Sequence, residues 1–180
     1  MSPWRTRTST VVYSNPWITV REDEVDRPDG TPGIYGVVEL AHPAVFVVAL
    51  TDDDEVVMVD VARYTTGASL EVPAGGSDGE DPLVAARREL REETGLEASS
   101  WELAGTMHAL NGVCRAVEHV FVARGLHASD KGHEQAAEGI TAVRRVPWHD
   151  ALGMVADGTI DDGETVAALM HAAIMLGRVR

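Results

Sequence analysis

The chain has 180 residues, 44% of them apolar, enough for one soluble domain with a substantial core. Its 15 basic and 29 acidic side chains give a formal net charge of −14, and with no basic patch beyond two Arg-Arg pairs this argues against a nucleic-acid partner. A longest apolar run of only seven residues (AVFVVAL), no signal-peptide core and a lone Cys114 point to the cytoplasm and away from membranes.

The stretch TVVYSNPWITVREDEV alternates apolar and polar residues and reads as strand. DRPDGTPG is a turn, after which IYGVVEL resumes strand character. Three strands of this length are marginal alone. Residues 1–40 are therefore expected to form a small strand subdomain that packs on residues 41–180 or on a second subunit. AVFVVALTDDDEVVMVDVARY then predicts two apolar strands around a polar tip at Asp52, Asp53 and Asp54. SLEV is a short strand that leads into the glycine-rich PAGGSDGED. A helix follows, then strands near WELAGTMHAL and EHVFVARGL and a polar stretch, HASDKGHEQAAEG. A strand ITAVRRVPW leads into HDALGMVADG, and GETVAALMHAAIML makes a closing amphipathic helix. Interleaved elements without a repeat predict one mixed α/β unit.

The helix in the middle carries the chemistry. Asp81 followed by Pro82 is a helix start, an N-cap acceptor and then a residue whose missing N–H does no harm. Gly95 after Thr94 suits a left-handed stop. Leu83, Ala86, Leu90 and Thr94 form the stripe that faces the core. Glu89, Glu92 and Glu93 lie beside it within roughly 100° of arc, on the border between core and solvent. Like charges at such spacings repel by a few tenths of a kcal/mol per pair. Two readings compete here: a solvated face laced by pairs such as Arg88–Glu92, or a bound cation that makes the crowding favourable. The carbonyl-rich loop ahead of the helix supports the cation, and oxygen-only ligation suits Mg²⁺ or Mn²⁺.

GGSDGEDPLVAARRELREETGL closely resembles the Nudix box, G-x5-E-x7-R-E-U-x-E-E-x-G-U with U a bulky aliphatic residue. Every position from Glu80 onward matches. At the start, Ala74 occupies the glycine position and Gly75 stands one residue later, so the loop is one residue shorter than the pattern. The resemblance implies an α/β/α sandwich around a mixed sheet, here with a small N-terminal antiparallel strand subdomain. It implies hydrolysis of nucleoside diphosphates linked to another moiety. It also makes Glu89 and Glu93 the main metal ligands, Glu92 a direct or water-mediated ligand, and the Ala74 carbonyl a further one. Arg88 and Glu80 become the pair that orients the loop on the helix, and Gly95 closes the box.

Outside the box, YSNPWITVREDEVDRPDG, LEVPAG and DGTIDDGETVAAL are similar to the ADP-ribose pyrophosphatase branch. That branch exchanges its N-terminal strands across a homodimer, where they help hold the nucleoside. Arg63, in VARY, matches the branch arginine that contacts substrate phosphate. The branch draws its general base from a mobile loop before a late strand, here GHEQAAEGI. Glu138 and Glu134 are thus the loop candidates, with Glu138 favoured because it borders the following strand, and Glu92 and Glu93 are the catalytic candidates within the helix. Two departures stand out: Asn111-Gly112 replaces the branch proline, and Arg115 and Ala116 fall where a glutamate is common. The expected activity is metal-dependent hydrolysis of ADP-ribose or a related nucleotide sugar, a small-molecule substrate. A nucleoside triphosphate sanitising pyrophosphohydrolase and a non-catalytic nucleotide sensor are the alternatives. The N-terminal strands weigh against the first and the intact glutamates against the second.

Overall fold

The computed structural model describes residues 3–179. Strands β1 (Arg5–Ser14), β2 (Ile18–Asp26) and β3 (Pro32–Leu40) form an antiparallel meander. Its first turn is closed by Asn15, whose Oδ1 accepts the Trp17 and Ile18 N–H groups, an Asx turn that sets the strand register locally. Every residue of the edge strand β1 is exposed, including Val11, Val12 and Tyr13. A two-residue strand from far downstream, β9 (Cys114–Arg115), joins β3 in parallel and ties this sheet to the rest of the chain.

The second sheet holds seven strands: β4 (Ala44–Leu50), β5 (Glu55–Arg63), β6 (Gly67–Glu71), β7 (Ala74–Gly76), β8 (Leu96–His108), β10 (Val117–Ala128) and β11 (Ile140–Pro147). Its main order is β11-β5-β4-β10-β8, with β4 and β10 parallel and the other pairs antiparallel, so the sheet is mixed. The uninterrupted apolar run of β4 is explained by cover on both faces. Val45, Val47 and Ala49 face helix α1 (Pro82–Thr94) together with Ala85, Ala86 and Leu90. Phe46, Val48 and Leu50 point the other way, toward α2 (Trp148–Asp157) and α3 (Gly163–Met175), with Trp148, Ala168 and Leu169. Burying such side chains is worth about 1.5–3 kcal/mol each, which outweighs the few tenths per pair lost to carboxylate crowding on α1. No helix of the described residues is long and apolar enough to cross a membrane.

Two features depart from the linear reading. HDALGMVADG, given no element from sequence, is the helix α2, capped by Gly158 in the left-handed region (φ 82°). The apolar strands on either side of the aspartate tip do not form a full hairpin. They pair only at Ala49–Val57 and Leu50–Val56, beside the tip, where Asp54 takes a φ of 63°. Beyond that they splay: β4 takes β7 as its partner while β5 takes β6 and β11. The cleft opened at that end is where the conspicuous polar residues gather.

Candidate active site

Helix α1 begins and ends as its caps dictate. The Asp81 side chain accepts the Leu83 N–H at 3.0 Å, Pro82 follows, and Gly95 (φ 72°) donates its N–H to the Arg91 carbonyl. This phase buries Ala85, Ala86, Leu90 and Thr94, and with them Glu89 and Glu93, which are only 7% and 4% exposed. They sit deeper than the core–solvent border expected from the helical arc. The reason is the β7 loop, which folds over that side of the helix. Glu93 Oε2 accepts the Ala74 N–H at 2.9 Å. At Gly75 a Cβ would stand 2.3 Å from the Glu89 carboxyl, so any larger residue there would force that carboxyl to move.

Arg88 ties loop to helix. It donates to Glu80 (2.9 Å), the Gly76 carbonyl (2.8 Å), Glu89 (2.6 Å) and Glu92 (3.1 Å). The shortened loop closes as a tight turn, with the Glu80 N–H on the Ser77 carbonyl and Asp78 (φ 50°) and Gly79 (φ 85°) between them. Glu92 is half-buried and shared between Arg88 and Arg91. The structure thus brings Ala74, Glu80, Arg88, Glu89 and Glu93 together and turns Glu92 toward its arginines. Among the described residues, no three acidic, histidine or cysteine side chains converge in metal-holding geometry, and Arg88 is paired with both Glu89 and Glu92.

Burial pushes Glu89 up to about 7, against the pull of Arg88, with Glu92 and Glu138 adding repulsion. Burial likewise pushes Glu93 up to about 8; the Ala74 N–H opposes this, and Glu89 and Glu138 add to it. Two desolvated carboxyl groups thus stand next to a glycine turn, Glu89 partly offset by Arg88 and Glu93 held by the Ala74 N–H. That donor set fits a hard divalent cation.

The cleft continues as a cavity of about 590 Å³, within the usual range for small-molecule sites. Arg63 lines it, holding the buried Glu71 through two hydrogen bonds of 3.1 and 2.5 Å. Trp17, 71% exposed, and Leu40 bring the N-terminal sheet to its mouth. Asp162 caps α3 by accepting the Thr165 N–H, and the buried Thr165 hydroxyl in turn accepts the Val72 N–H, which anchors α3 to the cleft. In the loop after β10, the Glu134 N–H donates to the Glu92 carbonyl at 2.8 Å, so the loop is pinned to α1 at that point. Glu134 and Glu138 are both exposed. The charge of Glu138 is among those raising Glu89 and Glu93.

One residue escaped the linear reading. Glu118, on β10, lines the cavity and is 4% exposed. Its signal was a single acid in VEHVFVA, apolar apart from His119, on the same strand face as Val120 and Val122.

Sheet, helix and loop together define an acid-lined, nucleotide-sized cleft in an α/β/α sandwich. Residues 40–169 match the family described as NUDIX domain, and residues 4–38 match the nucleoside diphosphate sugar hydrolase N-terminal domain. A methanol dehydrogenase activator of Bacillus methanolicus is 31% identical over 89% of this chain and 87% of its own. An ADP-ribose pyrophosphatase of Bacillus subtilis (strain 168) is 30% identical over the same shares. The fold superposes on a crystal structure of an ADP compounds hydrolase with a TM-score of 0.84, 21% identity and coverage of 98% and 97% of the two chains. The chain belongs to the Nudix family, as one of its pyrophosphatases.

The close approach at Gly75 has a measurable consequence. Gly75→Ala is expected to expel the Glu89 carboxylate and lower turnover by roughly 10²-fold. Gly76→Ala, whose Cβ would meet nothing nearer than 3.5 Å, is the neutral control. Equal rates for the two variants would refute the constraint.

Proposed function

We propose that this pyrophosphatase cleaves the diphosphate bond of a nucleotide sugar, with ADP-ribose the preferred substrate, and needs Mg²⁺ or Mn²⁺ to do so. The observation that carries the proposal is the pair of buried carboxyl groups on α1, Glu89 against Gly75 and Glu93 on the Ala74 N–H, directly behind a loop that lines the cavity together with Arg63. Glu89, Glu93 and the Ala74 carbonyl would hold the cation, with Glu92 contributing directly or through water after release from its arginines. A divalent cation held there would supply neutralisation of the diphosphate charge and a water of lowered pKa. Arg88 and Glu80 keep the loop on the helix, and Arg63 exchanges Glu71 for a substrate phosphate oxygen. Glu138 accepts the proton of the attacking water.

Trp17 offers the nucleobase a stacking surface at the cavity mouth. Stacking on an aromatic side chain contributes about 1–3 kcal/mol per base, so Trp17→Ala should raise KM for ADP-ribose roughly 5- to 100-fold at unchanged kcat. An unchanged KM would remove Trp17 from the site. Incubation with ADP-ribose, other nucleotide sugars and nucleoside triphosphates in Mg²⁺, followed by product separation, tests the whole reading. AMP and ribose 5-phosphate are expected; turnover of triphosphates alone would overturn it.

Residues 1–40 form the dimerisation subdomain in this proposal, and residues 41–180 the hydrolase domain. The edge strand β1 is exposed along its length, and Val11, Val12, Tyr13 and Ile34 present apolar surface that one copy leaves uncovered. A second copy with the same patch would cover it by a twofold arrangement. Light scattering at micromolar concentration should give a homodimer mass, and a monomer would count decisively against this assembly. The lone cysteine and the absence of a disulfide framework suit a cytoplasmic enzyme.

A further inference from the structure

The geometry points to Glu118 as a specificity-determining residue that accepts hydrogen bonds from ribose hydroxyls of the substrate; this rests on the nucleotide-sugar reading. Glu118 pairs in register with Ala44, and Ala44 with Gly76, so it lies two strand spacings from the β7 loop. That is roughly 10 Å across the sheet. A substrate whose diphosphate sits against Glu89 and Glu93 would therefore meet Glu118 with a group attached to the diphosphate. The chemistry of the wall agrees. Asp162 and Glu164 line the same part of the cavity and repel Glu118, so a phosphate is excluded there and a neutral hydrogen-bond donor is favoured.

Glu118 itself calls for a ligand. The residue lines the cavity and is 4% exposed, and one of its carboxyl oxygens (Oε2) is buried with no hydrogen-bond partner among the described residues. An unsatisfied buried acceptor is unfavourable and is relieved by a donor. Burial, with Glu164 and Asp162 adding repulsion, pushes its carboxyl up to about 7. Sugar hydroxyls supply paired donors without charge. The ribose could be that of the nucleoside or the one at the far end of the diphosphate, and substrate analogues separate the two.

The test combines residue and substrate changes. KM and kcat are measured for wild type, Glu118→Gln and Glu118→Ala with ADP-ribose, with its 2′-deoxyadenosine analogue, and with an alkyl ester of ADP that lacks the distal sugar. Glu118→Ala should raise KM for ADP-ribose roughly 10- to 100-fold at little-changed kcat, with Glu118→Gln, which keeps an acceptor oxygen, in between. The analogue lacking the contacted hydroxyls should bind wild type and Glu118→Ala equally well, and which analogue does so identifies the ribose. An unchanged KM for ADP-ribose, or an equal loss across all three substrates, overturns the inference while the functional reading stands. Wild type that hydrolyses none of the three overturns both. Both variants remove an unsatisfied buried carboxyl, so their melting temperatures should match or exceed that of wild type.

Discussion

Glu93→Gln is expected to lower turnover by several orders of magnitude while leaving the protein folded. The side chain is 4% exposed and keeps its hydrogen bond to the Ala74 N–H if a glutamine amide oxygen replaces the carboxylate oxygen, so packing is conserved and one negative charge is lost. Without divalent metal the same change should stabilise the protein, in a pH-dependent way. The Glu93 carboxyl is pushed up to about 8 from its ordinary 4.5. A group raised in the folded state contributes stability in full below its unfolded value, and that contribution is lost as pH rises through the folded one. In EDTA, wild type should thus lose stability from about pH 4.5 toward pH 8, whereas Glu93→Gln loses less. A tenfold change in proton affinity corresponds to about 1.4 kcal/mol, and a protein of this size changes Tm by roughly 2–4 °C per kcal/mol. The Tm gap between variant and wild type should accordingly reach several degrees at pH 8 and close on adding Mg²⁺, as the cation takes over the charge. Full turnover by Glu93→Gln in saturating Mg²⁺ would sink the assignment of this helix as a metal site.

Glu138→Gln should reduce kcat by roughly 10²-fold or more with metal affinity largely kept, while Glu134→Gln does little. The asymmetry comes from the loop. Glu134 is fixed by its backbone to the last turn of α1, through its N–H on the Glu92 carbonyl, and its neighbours turn back on it. Glu138 precedes Gly139 (φ 72°) and the start of β11, and its charge is felt at both buried glutamates. It is exposed in this state, so it can move toward a bound substrate. If both variants keep wild-type kcat, the base lies in the helix, at Glu92 or Glu93, and the loop is a lid.

What the sequence determined by itself was whatever depends on neighbours a few residues away. The limits of α1 follow from Asp81, Pro82 and Gly95, because capping is satisfied within one turn of chain. Its buried stripe follows from 3.6-residue periodicity, and the double-sided burial of β4 from an apolar run too short for anything but a covered strand. The glutamate spacing announced unusual chemistry for the same local reason. Tertiary structure alone decided the rest. Whether β4 and β5 remain paired depends on β7 and β6 competing for their edges, which no local signal records. The burial of Glu89 and Glu93 depends on how a loop lies over a helix, and the state of Arg63 depends on Glu71 across a strand pair. Glu118 becomes a cavity wall only because β10 runs parallel to β4, joining residues more than seventy positions apart. Such contacts are set by the shape of the whole core, so an acid in an apolar strand reads as an anomaly until the fold supplies the space it faces.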